Sequence, residues 1–395
     1  MAQLRALLFK EEYMKFFHLS DLHIGLRLQN YDMSEDQSYI LKQIVALAAE
    51  HRPDAIVIAG DIYDKAIPSA EAVSLFDAFV ASLHEAVPKA VIMMISGNHD
   101  SAPRINCFRH VLQDQSIHMV GLPPVREEEQ IERVTLKDSF GEVCFYLLPF
   151  VKPSMVKQVV GTHKDGSNFS YEETLERLLM RETIDPDKRN VFVSHQFYLP
   201  EGKDAALVER MASEVCTVGN IDAISARLLA PFDYAALGHI HKPMTVGDQA
   251  YRYCGTPLAC SISEAGQQKS ILCVEMKEKG DTIITPLALT PLRQVRVVTG
   301  TLAEVLALRC EDYVSVVLKD TVEHDIWDLK DRLKEAFPYL LEIRRENARK
   351  ASYDTVAFSE EELDPYTLCC RFLSEPSEEE CALLQDVIRT VQGVK

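Results

Sequence analysis

The sequence lacks the features that mark membrane-spanning and secreted proteins. Its longest apolar runs, such as residues 91–95 and 143–150, are far shorter than the roughly 18 residues that suggest a membrane span. The first 13 residues contain neither the apolar core of a signal peptide nor a small-residue cleavage site. The ten cysteines include no C-x-x-C pair, which favours reduced thiols over disulfides. We therefore expect a cytoplasmic protein that does not contact a membrane.

Positive charge is also scarce in this chain. The 42 basic side chains face 60 acidic ones, so the formal net charge is -18. This balance argues against a protein that binds nucleic acid through a broadly basic surface. It does not govern a single cleft, because two bound divalent cations could reverse the local field. The length of 395 residues, with 47% apolar and 26% charged residues, indicates a globular protein of two or three domains.

Short apolar runs alternate with helical patterns from residue 15 to about residue 100, which predicts a β-α-β-α-β layer of mostly parallel strands. Ser34 and Gln37 predict a capping box at the start of the first helix. Further strands are expected at 143–148, 191–194 and 234–237, followed by a strand meander at 251–289. The protein should therefore contain both parallel and antiparallel strands. A change of pattern near residue 291 predicts a small, separate α+β unit.

Polar clusters follow five of the predicted strands. They are Asp21-Leu22-His23, Gly60-Asp61, Gly97-Asn98-His99-Asp100, Ser194-His195 and Gly238-His239-Ile240-His241. Each cluster alone is more often a turn or a hydrogen-bonded structural histidine. Two of their carboxylates, the amide and four of their imidazoles, brought to one sheet edge, are enough for two divalent sites that share a carboxylate. Ligands without thiolates favour manganese or iron over a structural zinc.

The order of these motifs resembles that of the calcineurin-like metallophosphoesterases. Segments 17–25, 60–64, 238–243 and 253–258, followed by Ser263-Glu264, more closely resemble the D-subunit branch of the bacterial SbcCD nucleases. The resemblance covers nearly everything from Met14 onward. It implies an α/β fold of the metallophosphoesterase type, which is a sandwich of two mixed β-sheets flanked by helices. A smaller α+β capping domain and a C-terminal helical segment would follow.

The resemblance also implies the roles of the site residues. One metal ion would be held by Asp21, His23, Asp61 and His241, and the second by Asp61, Asn98, His195 and His239. Both ions are expected to be Mn²⁺. His99 would contact the scissile phosphate or protonate the leaving oxygen, with Asp100 orienting its ring, although this pair could instead be structural. Asp64 stands where archaeal relatives have a histidine, which leaves the second phosphate-contacting group open.

The same resemblance implies a nuclease domain at 14–290, a DNA-capping domain at 291–350 and a segment at 351–395 that docks on a coiled-coil ATPase of the SbcC type. The acidic stretch around Phe372 fits two amphipathic helices, which could present an apolar stripe to that partner or pack on their own domain. Residues 1–13 have no counterpart in the family. The chain is expected to form a homodimer within a heterotetramer.

The leading hypothesis is a manganese-dependent DNA nuclease of repair, replication and recombination. It would act as a 3'-to-5' exonuclease on duplex ends and as an endonuclease on single strands and hairpins. A metallophosphoesterase for a small substrate is the alternative enzyme, but the second unit at 291–350 disfavours it. A DNA-tethering scaffold with a vestigial site is the third hypothesis, and the complete ligand set disfavours it.

Overall fold

The computed structural model describes residues 13–200, 214, 222–319, 326–346, 377 and 381–384. Contacts divide the chain into two units, residues 1–346 and residues 347–395. In the second unit, residues 381–384 are helical. Residues 1–12 of the predicted leader at 1–13 and most of the predicted docking segment, including Phe372, lie outside the described residues. No helix in the described part of the chain is both long and apolar enough to cross a membrane.

The strands of the described residues are β1 (Met14–Leu19), β2 (Arg27–Leu28), β3 (Tyr31–Asp32), β4 (Ala55–Ala59), β5 (Val91–Ile95), β6 (Ile117–Val120), β7 (Glu132–Asp138), β8 (Gly141–Leu148), β9 (Arg189–Ser194), β10 (Phe197–Leu199), β11 (Ala223–Ser225), β12 (Tyr234–Leu237), β13 (Met244–Val246), β14 (Asp248–Tyr253), β15 (Ser270–Met276), β16 (Thr282–Ala288), β17 (Val295–Gly300), β18 (Tyr313–Leu318) and β19 (Tyr339–Arg345). The α-helices are α1 (Ser34–His51), α2 (Ala70–Ala86), α3 (Ala102–Ile105), α4 (Arg109–Gln113), α5 (Lys157–Val160), α6 (Tyr171–Leu179), α7 (Leu302–Leu306) and α8 (Ile326–Ala336). Short 3-10 helices lie at Pro153–Met155, Ala226–Leu229 and Ile262–Glu264.

The first large sheet has six strands in the order β16-β15-β1-β4-β5-β6. Strands β1, β4, β5 and β6 are parallel, whereas β15 and β16 are antiparallel to their neighbours. Strand β4 is buried along its whole length, as expected for an uninterrupted apolar strand that is covered on both faces. The predicted β-α-β-α-β layer is therefore confirmed, and the antiparallel strands make the sheet mixed.

The second large sheet has the order β13-β14-β12-β9-β8-β7, with antiparallel strands at both edges. The two sheets pack face to face on a shared apolar layer. In that layer the Phe16 ring of β1 meets Phe145 of β8 edge-on, with ring centroids 5.3 Å apart. Helices α1 and α2 cover the opposite face of the first sheet with a separate apolar cluster. The chain thus forms the expected sandwich of two mixed sheets flanked by helices.

Helix α1 begins at Ser34, but the predicted capping box is wrong. The residue at its N-cap is Met33, which makes no capping hydrogen bond. Gln37 is buried, and its Nε2 donates to the carbonyl oxygen of His23 at 2.7 Å while its Oε1 accepts from the N–H of Gly25 at 3.0 Å. The amide of Gln37 therefore binds the loop after β1 and not the helix terminus.

Residues 295–345 confirm the predicted small α+β unit. They form a parallel sheet in the order β17-β18-β19, with α7 and α8 packed on a core of their own. The guanidinium group of Arg293 connects this unit to α1 through ion pairs with Asp36 at 2.8 Å and Glu35 at 2.7 Å. The hydroxyl of Tyr313 also donates to Asp36, at 2.9 Å. The small sheet is thereby fixed to the helix that supports the loop after β1.

Candidate metal centre

The loops after β1, β4, β5, β9 and β12 carry the five polar clusters and meet at one edge of the sandwich. Carboxyl ends of parallel strands share an edge, so residues far apart in sequence converge there. Backbone hydrogen bonds join the loops: the N–H of Asp21 donates to the carbonyl of Gly60, and that of His23 to the carbonyl of Asp61, both at 3.0 Å. The N–H of His239 donates to Oδ1 of Asp21 at 3.0 Å.

The first group of candidate ligands consists of Asp21, His23 and His241, which are buried. Their ligand atoms all lie within 4.8 Å of one another. The Nε2 atoms of His23 and His241 are 3.1 Å apart, and Oδ2 of Asp61 lies 3.8 Å from Nε2 of His23. The structure therefore brings together the four residues that were expected at one metal ion.

The second group contains Asp61, Asn98, His195 and His239. Oδ2 of Asp61 lies 3.2 Å from Nε2 of His195. Oδ1 of Asn98 lies 3.0 Å from the same nitrogen and 2.9 Å from Nδ1 of His239. A Cβ atom at Gly97 would overlap the Asp61 carboxylate, so this approach requires glycine. Asp61 contacts both groups, which is the position expected of a shared carboxylate.

Burial and charge determine the protonation of these groups. Burial raises the pKa of Asp21 and lowers the pKa of His23 to about 3. Burial also opposes the charged forms of Asp61 and His195, but their mutual attraction outweighs it. The pKa of Asp61 is held well below its usual range, and that of His195 is raised to about 9. Without a metal ion, this pair is a carboxylate next to an imidazolium.

The donor atoms fit two divalent cations. Lone pairs on two imidazole nitrogens 3.1 Å apart repel each other unless a proton or a cation lies between them. Two buried carboxylates likewise need compensating positive charge. Oxygen and imidazole ligands suit manganese and iron, as the sequence indicated.

His99 lies beside the centre, and its surroundings differ from the expected ones. Its Nδ1 is 3.0 Å from the carbonyl oxygen of Asp64, and its N–H donates to Oδ1 of Asp61 at 2.8 Å. The carboxylate of Asp100 accepts from three backbone N–H groups at 2.9 to 3.0 Å, those of Ile62, Tyr63 and Gly97. The expectation that Asp100 orients the His99 ring is therefore corrected: Asp64 contacts the ring, and Asp100 ties together the loops after β4 and β5. Burial, with the nearby Asp61 charge, raises the pKa of Asp100 to about 6.

Asp64 contacts two histidines in different ways. Its carbonyl oxygen lies against His99, whereas its carboxylate Oδ1 lies 3.9 Å from Nδ1 of His23. Burial raises the pKa of Asp64. The sequence left the role of this residue open, and the structure places it next to a candidate ligand and next to the candidate phosphate-contacting ring.

Sequence analysis missed four of the seven residues that line the cleft beside the second group, namely Phe150, Lys152, Tyr171 and Asp222. A cavity of about 340 Å³ is bounded by Asn98, His99, Phe150, Lys152, Tyr171, Asp222 and His239. The Phe150 ring lies nearly parallel to that of His239, with centroids 6.4 Å apart. Phe150 and Lys152 follow β8, whose carboxyl end lies at the same sheet edge. That position is the one signal that could have identified them.

The chain is similar to several known proteins and protein families. The model of the calcineurin-like phosphoesterase family matches residues 14–243, and a model described as the type 5 capsule protein repressor C-terminal domain matches residues 291–376. The D subunit of the nuclease SbcCD from Staphylococcus epidermidis is 30% identical over 335 residues, which cover 83% of this chain and 84% of that protein. The solved structure of TT1561 from Thermus thermophilus has 14% identity and a TM-score of 0.38, covering 70% of this chain and 99% of its own. A dimetal phosphatase from Danio rerio has 12% identity and a TM-score of 0.39, covering 72% and 99%.

Proposed function

The chain belongs to the calcineurin-like phosphoesterase family, and from this premise we propose that it is the metal-dependent DNA nuclease subunit of an SbcCD-type complex. The observation that carries the proposal is the buried, two-part ligand group in which Asp61 contacts both halves. Such a centre suits phosphodiester hydrolysis. The relative at 30% identity is named a nuclease subunit, which supports DNA as the substrate.

We assign one ion to Asp21, His23, Asp61 and His241, and the other to Asp61, Asn98, His195 and His239. Both ions are proposed to be Mn²⁺. When bound, they would activate a water molecule and neutralise charge on the phosphodiester. The chain's own contribution is a set of ligands that is held in place by buried neighbours.

His99 is proposed to act on the phosphate or the leaving oxygen. A carbonyl oxygen can only accept a hydrogen bond, so the contact with Asp64 keeps a proton on Nδ1 of His99. Nε2 is then the ring atom that is available to substrate. Asp100 acts indirectly, because its three backbone hydrogen bonds hold the loop that carries Asn98 and His99.

The small unit at 291–350 is proposed to cap DNA over the centre. Its anchoring to α1 by Arg293 supports a fixed position relative to the loop after β1, which carries two candidate ligands. A small-substrate phosphoesterase has no evident use for such a unit. Lys152 at the cleft offers a cation to a phosphate beside the scissile bond. The segment 351–395 is proposed to bind the SbcC-type ATPase, within a heterotetramer that contains two copies of each protein.

The test is a cleavage assay with the full chain and either Mn²⁺ or Mg²⁺. The substrates are end-labelled duplex, hairpin and circular single-stranded DNA, with a p-nitrophenyl phosphodiester for comparison. We expect Mn²⁺-dependent 3'-to-5' digestion of duplex ends and internal cleavage of single strands and hairpins. The control variants are Asp61→Asn, expected to be inactive, and His110→Gln, which changes an exposed histidine. Hydrolysis of the small diester without any DNA cleavage would favour a small-substrate enzyme instead.

A further inference from the structure

A buried ion pair lies directly behind the candidate ligand His241. Glu264 and Lys269 are almost completely buried, and Oε2 of Glu264 is 2.7 Å from Nζ of Lys269. Oε1 of Glu264 lies 3.6 Å from Nδ1 of His241, on the side of the ring opposite to the nitrogen that faces His23. Nζ of Lys269 also donates to the carbonyl oxygen of His241 at 3.3 Å. The pair therefore contacts both the ring and the backbone of one ligand.

Stability alone does not explain a pair of this kind. Removing two charges from water has a large desolvation cost, and apolar residues of similar volume often stabilise a protein as well or better. Further hydrogen bonds hold the Glu264 carboxylate in place, from the N–H of Cys260 at 3.2 Å and the hydroxyl of Thr256 at 2.9 Å. A fixed carboxylate beside a metal-binding imidazole fits an orienting role, because such a group fixes the tautomer and increases ligand basicity.

Two other histidines of the centre have different partners at the corresponding nitrogen. Nδ1 of His195 lies 2.8 Å from the carbonyl oxygen of Ala59, which is neutral. Nδ1 of His23 lies 3.9 Å from the Asp64 carboxylate, which is partly exposed. Of these three histidines, His241 is the one whose Nδ1 faces a carboxylate that is both buried and paired with a lysine.

We propose that Glu264 is a positioning residue for His241, which keeps a proton on Nδ1 of the ring and Nε2 directed at the metal ion. Lys269 holds the carboxylate in place through the ion pair at 2.7 Å. This inference rests on the proposed role of His241 as a ligand. It also gives a function to the Ser263-Glu264 motif, which the ligand assignment leaves unused.

The test measures metal binding and compares two double variants of the full chain. E264M/K269M removes both charges together with the Glu264 oxygen that faces Nδ1 of His241, whereas E264Q/K269M keeps an amide oxygen there. Titration calorimetry with Mn²⁺ on the apo proteins should show a roughly 10- to 100-fold weaker affinity at one of two sites in the Met variant. The Gln variant should recover part of that loss. His110→Gln, which changes an exposed histidine outside the ligand groups, should bind both ions normally.

Equal Mn²⁺ affinities in the two double variants would overturn the proposal, because they would show that the acceptor at Nδ1 does not matter. His241→Asn separates this outcome from a failure of the ligand assignment: if that variant binds both ions normally, His241 is not a ligand. Should the Met variant fail to fold, ¹H–¹⁵N correlation spectra of the Zn²⁺-loaded wild type decide the point. Coordination through Nε2 with a proton on Nδ1 is expected, and coordination of His241 through Nδ1 would contradict it.

Discussion

Metal binding to the apo protein should release a proton from His195. Nε2 of this ring lies 3.2 Å from the Asp61 carboxylate and 3.0 Å from the Asn98 amide oxygen, so the atom that would bind the ion carries a proton instead. Burial opposes this charge, but the attraction to Asp61 raises the pKa of His195 to about 9. A metal ion must displace that proton.

The size of the effect follows from this pKa. At pH 7.5 the protonated form of a group with a pKa of about 9 exceeds the neutral form about 30-fold. Displacing the proton therefore costs about 2 kcal/mol, since each pH unit corresponds to about 1.4 kcal/mol. Affinity for the ion should therefore rise about tenfold per pH unit and level off near pH 9. The stability of the apo fold changes with pH in the opposite direction to the metal affinity. The raised pKa stabilises the apo fold fully below the unfolded value of about 6.5, and this contribution is lost as the pH rises through about 9.

Calorimetry with Mn²⁺ in buffers of different ionisation enthalpy counts the released protons. We expect at least about one proton at pH 7.5, with a further contribution from His241, whose pKa is also raised. Asp61→Asn removes the charge that holds the His195 proton, so the pKa of this ring in the apo protein, followed by ¹H–¹⁵N correlation spectra, should fall. His110→Gln should leave it unchanged. Wild-type affinity that stays flat between pH 6.5 and 8.5, with no proton release, would refute the reasoning.

Four other changes have expected outcomes. Asp61→Ala should abolish activity and most bound metal, because the residue contacts both ligand groups; full metal content by elemental analysis would exclude a shared ligand. His99→Gln should retain both ions and DNA binding but lose about 10²- to 10⁴-fold in rate, and loss of metal would make it a ligand instead. A chain ending near residue 351 should still cleave single-stranded DNA with Mn²⁺ but fail to co-purify with the ATPase partner; unchanged binding would place the docking surface elsewhere. Arg293→Met should lower the free energy of unfolding by about 3 kcal/mol in denaturant titrations, because it leaves the buried Asp36 carboxylate without its cation, and a loss near zero would contradict that account.

The sequence predicted the framework because its signals are local. Strands β4 and β5 are continuous apolar runs and β1 is mostly apolar, and each strand ends in a polar cluster next to a turn. Parallel strands then bring Asp21, Asp61 and Asn98 to one edge through geometry alone. The small unit was predictable for the same reason, since its strands and helices alternate and each shows a clear hydrophobic pattern.

Side-chain contacts between residues that are far apart in sequence could not be predicted from such local signals. Gln37 fits a capping box by sequence, yet its amide binds the loop after β1, which adjoins it only in the folded chain. Asp100 follows His99 directly, yet its carboxylate turns to backbone N–H groups near residue 62. Glu264 lies 23 residues beyond His241 in the numbering, and only the packing of the Ile262–Glu264 turn brings it to the ring.

Backbone strain marks the centre independently of any motif. Of the eight non-glycine residues with positive φ in the described chain, four are candidate ligands: Asp21, His23, Asp61 and His239, at 53°, 44°, 46° and 100°. A left-handed conformation costs a side-chain-bearing residue roughly 1 kcal/mol or more, so it persists only where surrounding contacts enforce it. At Asp21, His23 and Asp61 the backbone hydrogen bonds between the loops after β1 and β4 enforce it, and at His239 the N–H donates to Oδ1 of Asp21. The backbone conformations of these candidate ligands are therefore held by contacts within the protein, and a φ angle of this kind is not encoded in the spacing of Asp-x-His or Gly-His-x-His.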